Sequence, residues 1–295
     1  MAKPERIRRL SYQKAKSLEK LIGAVEKRLD ASSSELTKKL LKEFLTKLKS
    51  SQGAIIDQLN KHTITLFNKA FNAYLSTQKA ALVQSILKDI NTIFTDNHNF
   101  YKRTTVDFSL DRDALKSVLN RRLGIAPDGT LIRNGYMDGL LDDAPIRSQI
   151  QRFLFREIFK GSGYEYLRSA LKEFIEGNPE RLGAFQRHYK TFTYDAYAQI
   201  NAYTSGLYSQ KLGMTHFIYN GGLIETSREF CIKRNAGVYS TEEAEKWADD
   251  PTLTAIESRD NYNWLIDRGG FNCRHSIDFV ADEVAFVLRP DLKNK

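Results

Sequence analysis

Proline is absent from residue 5 to residue 126, and that gap constrains the chain more than any other feature. Proline breaks a helix by removing an N–H donor and clashing with the preceding turn, so a proline-free stretch of this length permits long uninterrupted helices. The apolar pattern uses that freedom. Leu18, Leu21, Ile22, Val25 and Leu29 recur at helical intervals. Ser32-Ser33-Ser34-Glu35 interrupts the pattern, and Ser32 with Glu35 has capping-box spacing, so a new helix is expected to begin there. In it Leu36, Leu40, Phe44 and Leu48 form one stripe flanked by Leu41 and Leu45. Lys38, Lys39, Lys42, Lys47 and Lys49 fill the remaining faces. Val83, Ile86, Leu87, Ile90 and Phe94 make a further stripe. Stripes of this kind pair as a hairpin or short bundle, and core formation is their expected role.

Turn signals gather between Gly124 and Gly139, at Ala126-Pro127-Asp128-Gly129 and at Asn134-Gly135, where a loop or short hairpin is expected. Helical spacing returns with Ile146, Ile150, Phe153, Leu154 and Ile158, stops at Gly161-Ser162-Gly163, and resumes over Tyr164–Ile175 up to Gly177-Asn178-Pro179. A long helix is expected from Arg181 to Lys211, with Phe185, Tyr189, Phe192, Ala196, Ile200, Tyr203 and Leu207 at core spacing. Its tyrosines (Tyr189, Tyr194, Tyr197, Tyr203 and Tyr208) have the chemistry of a base-stacking platform. At helical spacing they are expected to be half-buried core residues with hydrated hydroxyls.

After Leu212-Gly213 the texture changes. Thr215–Tyr219 is β-prone, Asn220-Gly221-Gly222 is a turn, and Leu223-Ile224 is the expected return strand of a hairpin. Ser240 and Glu243 have capping-box spacing for a short helix, a polar loop spans 249–263, and Ser276–Val280 reads as a final strand. The fold class is therefore mainly α, with long amphipathic helices and a small α+β C-terminal element containing a β-hairpin. Three regions are expected: 1–104, basic and helical; 105–180, helical with a turn-rich loop; and 181–295, a long helix followed by the α+β element.

Charge narrows the partners. Of the net charge of +9, residues 1–50 carry +8, from 14 basic and 6 acidic residues. A basic block on a near-neutral body suits nucleic acid, an acidic protein surface or a membrane face, and a lysine-rich solvated helix is the plainer reading. Arg6, Arg8, Arg9, Lys14, Lys16, Lys38, Lys39 and Lys42 are the candidate nucleic-acid contacts. A mean hydropathy of −0.46 and the lack of a run long enough for a membrane span favour a soluble, folded protein that needs no membrane to fold. The basic start has no apolar segment after it, so no secretory signal is expected. With Cys231 and Cys273 as the whole cysteine complement, a disulfide framework is excluded, one bridge remains open, and a reducing compartment is the default.

Standard catalytic signatures are missing: no Walker A loop, no dinucleotide fingerprint, no H-E-x-x-H and no nucleophile elbow. Asp142-Asp143 and Asp249-Asp250 adjoin turns and read as caps. Asp128-Gly129 and Asp138-Gly139 lack the other ligands of a calcium loop. Cys231, Cys273 and His275, with His216 as a fourth candidate, form the one constellation with metal-ligand chemistry. Cys231 has no second cysteine at short spacing, since Cys231-Ile232-Lys233 runs into Arg234. Packed thiols, a bridge, a zinc site and separately buried cysteines all remain open, and the expectation is no metal and no cofactor. Cys273 and His275 share one face if extended, but nothing marks a third orienting group or an oxyanion hole, so no catalytic residue is assigned.

The C-terminal third does carry a resemblance. Leu212–Tyr219, then Glu225–Cys231 with Thr226, Arg228, Phe230 and Cys231, then Gly237-Val238-Tyr239, then Gly269-Gly270-Phe271-Asn272-Cys273-Arg274-His275 are similar, in kind and order, to the motif of the Mu-F-like phage minor head proteins, also called the phage head morphogenesis domain. The resemblance covers roughly residues 181–280. Relatives often carry a second cysteine where this chain has Arg234 and a histidine where it has Gly270, so no family metal site is transferred. The resemblance implies a non-enzymatic virion protein, made in the host cytoplasm and packaged in the capsid interior near the portal vertex. It implies contact with the portal protein and double-stranded DNA, with the major capsid protein and other inner-head proteins as further partners, and ejection with the genome as an option. The motif residues are then expected to be scaffolding: Arg228 and Arg274 paired with carboxylates such as Glu225 or Asp278, Gly237 and Gly270 in special backbone conformations, and the cysteines filling a small core. An intracellular DNA-binding helical protein and a virion-carried zinc-dependent effector are the alternatives.

Overall fold

A computed structural model describes residues 4–51, 54–55 and 61–294; the side chains of Ser50, Ala54, Lys61, residues 190–194 and Asn294 lie outside the description. The expectations for Phe192 and Tyr194 fall there. In chain order the elements are α1 (Pro4–Glu43), β1 (Ser50–Ser51), β2 (Ala54–Ile55), α2 (Lys61–Tyr74), α3 (Ala80–Thr104), α4 (Arg112–Leu123), α5 (Tyr136–Leu140), α6 (Ala144–Phe159), α7 (Tyr164–Glu176), β3 (Gly177–Asn178), β4 (Arg181–Leu182), α8 (Ala184–Leu212), β5 (His216–Gly221), α9 (Glu229–Arg234), β6 (Gly237–Ser240), α10 (Thr241–Glu245), α11 (Trp264–Asp267), β7 (His275–Val280) and α12 (Asp282–Leu288). The fold is mainly α with a small α+β element toward the C-terminus. No helix among the described residues is long and apolar enough to cross a membrane.

Two compact units interleave along the chain. One comprises residues 1–23, 88–137 and 194–295, the other 24–87 and 138–193. The long helices α1, α3 and α8 contribute to both.

In the second unit, α1 does not break at Ser32–Ser34, contrary to the capping-box expectation. The serines face inward: Ser32 and Ser33 are buried. Ser32 hydrogen-bonds the Tyr74 hydroxyl at 2.8 Å, and Ser33 Oγ donates to the Asp30 carbonyl at 2.8 Å. A serine satisfied by the tertiary fold and by its own preceding turn has no need to terminate a helix. The predicted stripe holds, with Leu36, Leu40, Phe44, Leu45 and Leu48 buried. A relay of rings continues it: Phe44 lies 5.8 Å from Phe67, Phe67 5.8 Å from Phe71, and Phe71 6.0 Å from Tyr74. Between α2 and α3 one π-helical turn (Leu75–Lys79) turns Lys79 inward. Its ammonium donates to the Leu141 carbonyl at 2.9 Å, Asp143 Oδ1 at 2.8 Å and the Tyr189 hydroxyl at 2.8 Å.

The first unit is built on an antiparallel sheet of order β6-β5-β7. Here the expected hairpin is corrected: Leu223 and Ile224 are exposed, and β5 pairs instead with β6 (Phe217 opposite Tyr239) and β7 (Phe217 opposite Phe279). Every residue of β5 and β7 is buried, so each strand packs on both faces, and alternation assigns each side chain to one of them. One face, carrying Ile218, Asn220, Ser276 and Asp278, meets α1 and α3. There Asp278 takes an ion pair from Lys14 at 2.5 Å and a hydrogen bond from Ser11 at 2.6 Å. Lys14 also donates to Asn97 at 2.6 Å, and Asn97 to Asn201 at 2.9 Å. The opposite face carries Phe217, Tyr219, His275, Ile277 and Phe279. The capping box at Ser240 and Glu243 is present, and the expected turn near Gly124 forms through an Ile125–Leu131 bridge.

Candidate functional site

The sheet face that carries Tyr219 and His275 gathers the chemistry. Gly221 stands opposite His275 in the β5–β7 ladder. With no side chain there, the imidazole leans diagonally onto Tyr219, ring stacked on ring at 4.7 Å and 12°. Cys273 lies two residues before His275 and shares its face of the chain. Residues 267–273 fold back sharply to deliver it: Arg268 (φ 52°), Gly270 (φ 86°) and Asn272 (φ 57°) all take left-handed conformations. The Gly270 N–H donates to the Asp267 carbonyl at 2.7 Å and the Cys273 N–H to the Gly270 carbonyl at 3.0 Å. A Cβ at Gly270 would collide with the Ala255 carbonyl.

Cys231 arrives from the other side, on α9, with Phe230 beneath it. Arg228 holds that helix to the folded-back loop. Its guanidinium donates to the carbonyls of Gly269 at 3.1 Å and Phe271 at 2.6 Å. The expected pairing of Arg228 with Glu225 or Asp278 is therefore corrected. Asp278 is engaged by Lys14 and Ser11 on the opposite face, and Arg274 is exposed. Gly237 also differs from expectation: its φ is not positive, and what glycine supplies is room, because a Cβ would overlap the Tyr239 ring. Thr226 is exposed. Arg234 lies 3.8 Å over the Phe230 ring and pairs with Asp250 at 2.5 Å.

Cys231 and Cys273 approach to 3.8 Å between sulfurs, both free thiols. His275 Nδ1 stands 3.7 Å from Cys273 Sγ. The Tyr219 hydroxyl is 3.6 Å from Cys231 Sγ and 3.4 Å from Cys273 Sγ. All four residues are buried, at 4% exposure or less. Burial pushes the Cys273 thiol up, but the hydrogen bond from Cys231, the contact with His275 and the positive charge of Arg268 outweigh it and hold Cys273 well below the usual thiol range. The Cys231 thiol is pushed up, first by its hydrogen bond to Cys273 and then by burial. Tyr219 is raised by burial. The Cys231 thiol and the Tyr219 hydroxyl both stand within hydrogen-bond reach of the Cys273 sulfur. Such a group can ligate a soft metal or close a disulfide. His216 takes no part: it is on the opposite face of β5, with Nδ1 2.8 Å from Asp282.

Tyr219, Gly269 and Arg268 are members to which the sequence reading assigned no role. Tyr219 was legible as a strand residue, but its role depends on which strand becomes its neighbour. A Cβ on Gly269 would overlap Cys231 Sγ, a packing fact with no signature in local sequence. Beside the cluster a cleft of about 250 Å³ is lined by Asp195, Gln199, Glu257, Arg268 and Phe271. Asp195 accepts from the Asn272 N–H at 3.2 Å, and burial raises its carboxyl.

The basic candidates divide. Arg6, Arg9, Lys16, Lys38 and Lys42 are exposed, whereas Arg8 and Lys39 are half-buried. Lys38 pairs with Glu35 at 2.6 Å and Lys39 with Glu43 at 3.1 Å. Lys14 is a core residue in an ion pair and is withdrawn from any phosphate. Three tyrosines of α8 are withdrawn as well. Tyr189, Tyr197 and Tyr208 are fully buried, and their hydroxyls meet protein rather than water: Asp143, Asp89 at 2.6 Å and His98 at 2.9 Å. No family model matches the chain, and neither a curated protein nor a solved structure does.

Proposed function

We propose that the chain is a phage minor head protein, working as a structural part of the capsid interior near the portal vertex and in contact with packaged DNA. The observation that carries this reading is the convergence of the motif residues. Arg228, Phe230 and Cys231 lie about forty residues from Gly270, Cys273 and His275, yet they close on one another through the Arg228 bridge to Gly269 and Phe271 and the 3.8 Å approach of the sulfurs. An ordered motif whose members lock two segments together is what a scaffold requires, and the burial of Cys273 and His275 suits scaffolding better than turnover of a substrate. The exposed Arg6, Arg9 and Lys16 on α1 supply phosphate-neutralising charge for the DNA contact. The protein is made in the host cytoplasm, and its direct partners are the portal protein, the inner-head proteins and duplex DNA.

The test is cross-linking mass spectrometry on purified virions, before and after triggered DNA release. Cross-links from this chain to the portal support the reading, and their loss on release adds ejection. Absence of the chain from intact virions overturns it. Salt-sensitive duplex binding would then point to an intracellular DNA-binding protein, the reading that the exposed cations of α1 favour next.

A further inference from the structure

Four polar atoms meet behind the β5–β7 ladder, and four of the six distances among them are close to the edges of a coordination tetrahedron. Zinc binds thiolate at about 2.3 Å, imidazole nitrogen at about 2.0–2.1 Å and oxygen at about 2.0–2.2 Å. A tetrahedron with those bonds has edges of about 3.8 Å between sulfurs and about 3.6 Å from sulfur to nitrogen or to oxygen. The protein places Cys231 Sγ and Cys273 Sγ 3.8 Å apart, and Cys273 Sγ 3.7 Å from His275 Nδ1. The Tyr219 hydroxyl lies 3.6 and 3.4 Å from the two sulfurs. The donor atoms of Cys231, Cys273 and His275 all fall within 4.8 Å of one another.

We propose that Cys231, Cys273, His275 and Tyr219 form a closed structural site for Zn2+. The backbone beside the cluster is shaped to let the donors converge. Gly269 turns its missing side chain toward the cluster: the position a Cβ would take is bordered by Cys231 Sγ, Cys273 Sγ at 3.2 Å and the Tyr219 hydroxyl at 3.3 Å. Three of the four donors thus close on the backbone of Gly269, which has no side chain to hold them apart. Charge agrees with the geometry. Two thiolates cancel the charge of the ion, imidazole and hydroxyl join as neutral donors, and a neutral complex is what a buried site tolerates. On binding, the protons remaining on the thiols pass to solvent, so affinity falls as pH falls. The set is borderline-soft, which suits zinc over calcium or magnesium. Tyr219 supplies the fourth donor; Arg234 is engaged elsewhere, by Asp250 and the Phe230 ring. The ion would tie α9 to β5 and β7, a role independent of the head-protein reading.

The experiment is metal analysis of the full chain purified from zinc-supplemented cells without chelator. About one zinc ion per chain is expected, together with the tetrahedral thiolate spectrum on cobalt exchange and a drop in melting temperature on chelation that added Zn2+ reverses. Cys273→Ser should lose most of the metal. Tyr219→Phe, which removes one hydroxyl and keeps the ring, should stay folded and release zinc to a competing chelator at least tenfold more readily. Wild-type chain without zinc and without a thermal response to added Zn2+ overturns the proposal. So does a mass lower by two hydrogens in the freshly isolated chain, which would make the pair a disulfide. Because these readouts need no virion, their failure is separate from failure of the cross-linking test.

Discussion

Replacing Lys14 by methionine tests the central structural claim about the basic N-terminal segment, that one of its cations is core. The Lys14 and Asp278 side chains are 5% and 0% exposed, with the ammonium 2.5 Å from the carboxylate. Methionine keeps most of the volume and removes the charge, leaving Asp278 with the Ser11 hydroxyl as its hydrogen-bond donor. Breaking one half of a buried pair costs about 3–5 kcal/mol, because the remaining charge stays desolvated and uncompensated. The Ser11 bond retains part of the carboxylate's solvation, so the lower end, about 3 kcal/mol, is expected. Both tryptophans, Trp247 and Trp264, lie in the unit that contains this pair, so tryptophan fluorescence during urea unfolding reads the right cooperative block. At a slope of about 2 kcal/mol per molar urea the midpoint should fall by about 1.5 M. Lys16→Met, two residues along on an exposed cation 4.6 Å over the Tyr12 ring, should cost no more than about 1 kcal/mol. Pairing Lys14→Met with Asp278→Leu should recover much of the loss, since removing both charges leaves nothing uncompensated. A Lys14→Met midpoint equal to that of Lys16→Met would refute the reasoning.

Two further outcomes follow from the charge map. Arg6→Ala, Arg9→Ala and Lys16→Ala should each weaken duplex DNA binding. The slope of log affinity against log salt should fall by about 0.9 for each phosphate that is no longer neutralised, read by fluorescence anisotropy across a salt series. Asp250 is held at about 2: burial pushes its carboxyl up, but Thr252 and the Arg234 guanidinium favour the ionised form more strongly. A carboxylate depressed in the folded state contributes stability that is complete above its unfolded value near 3.8 and is lost as pH falls toward 2. Asp250→Asn should therefore flatten the stability–pH curve in that window and leave its shape near neutrality unchanged, measured by urea midpoints across the range.

Elements whose cause is local were legible in the sequence. The helix at Ala144–Phe159, the one at Tyr164–Glu176 with Gly177 after it, and the capping box at Ser240 and Glu243 all rest on interactions within a few residues. Where a distant partner competed, local reading failed. Ser32 has capping spacing, yet its hydroxyl is taken by Tyr74 and the helix runs on. Leu223-Ile224 has strand composition, yet β5 finds better-packed neighbours in Val238 and Ile277.

The candidate site divides the same way. Residue type and order in the C-terminal third already named Cys231, Cys273 and His275, because the chemistry of thiols and imidazole belongs to the side chains themselves. Their mutual placement, the entry of Tyr219 and the exclusion of His216 depend on which strands become neighbours and which face of β5 each residue takes. Period-two alternation sends His216 to Asp282 and Tyr219 to the sulfurs. The charge of Lys14 is likewise plain in sequence. Its burial against Asp278, 264 positions away, was decided by packing, since an ammonium leaves water only where the fold supplies a carboxylate to meet it.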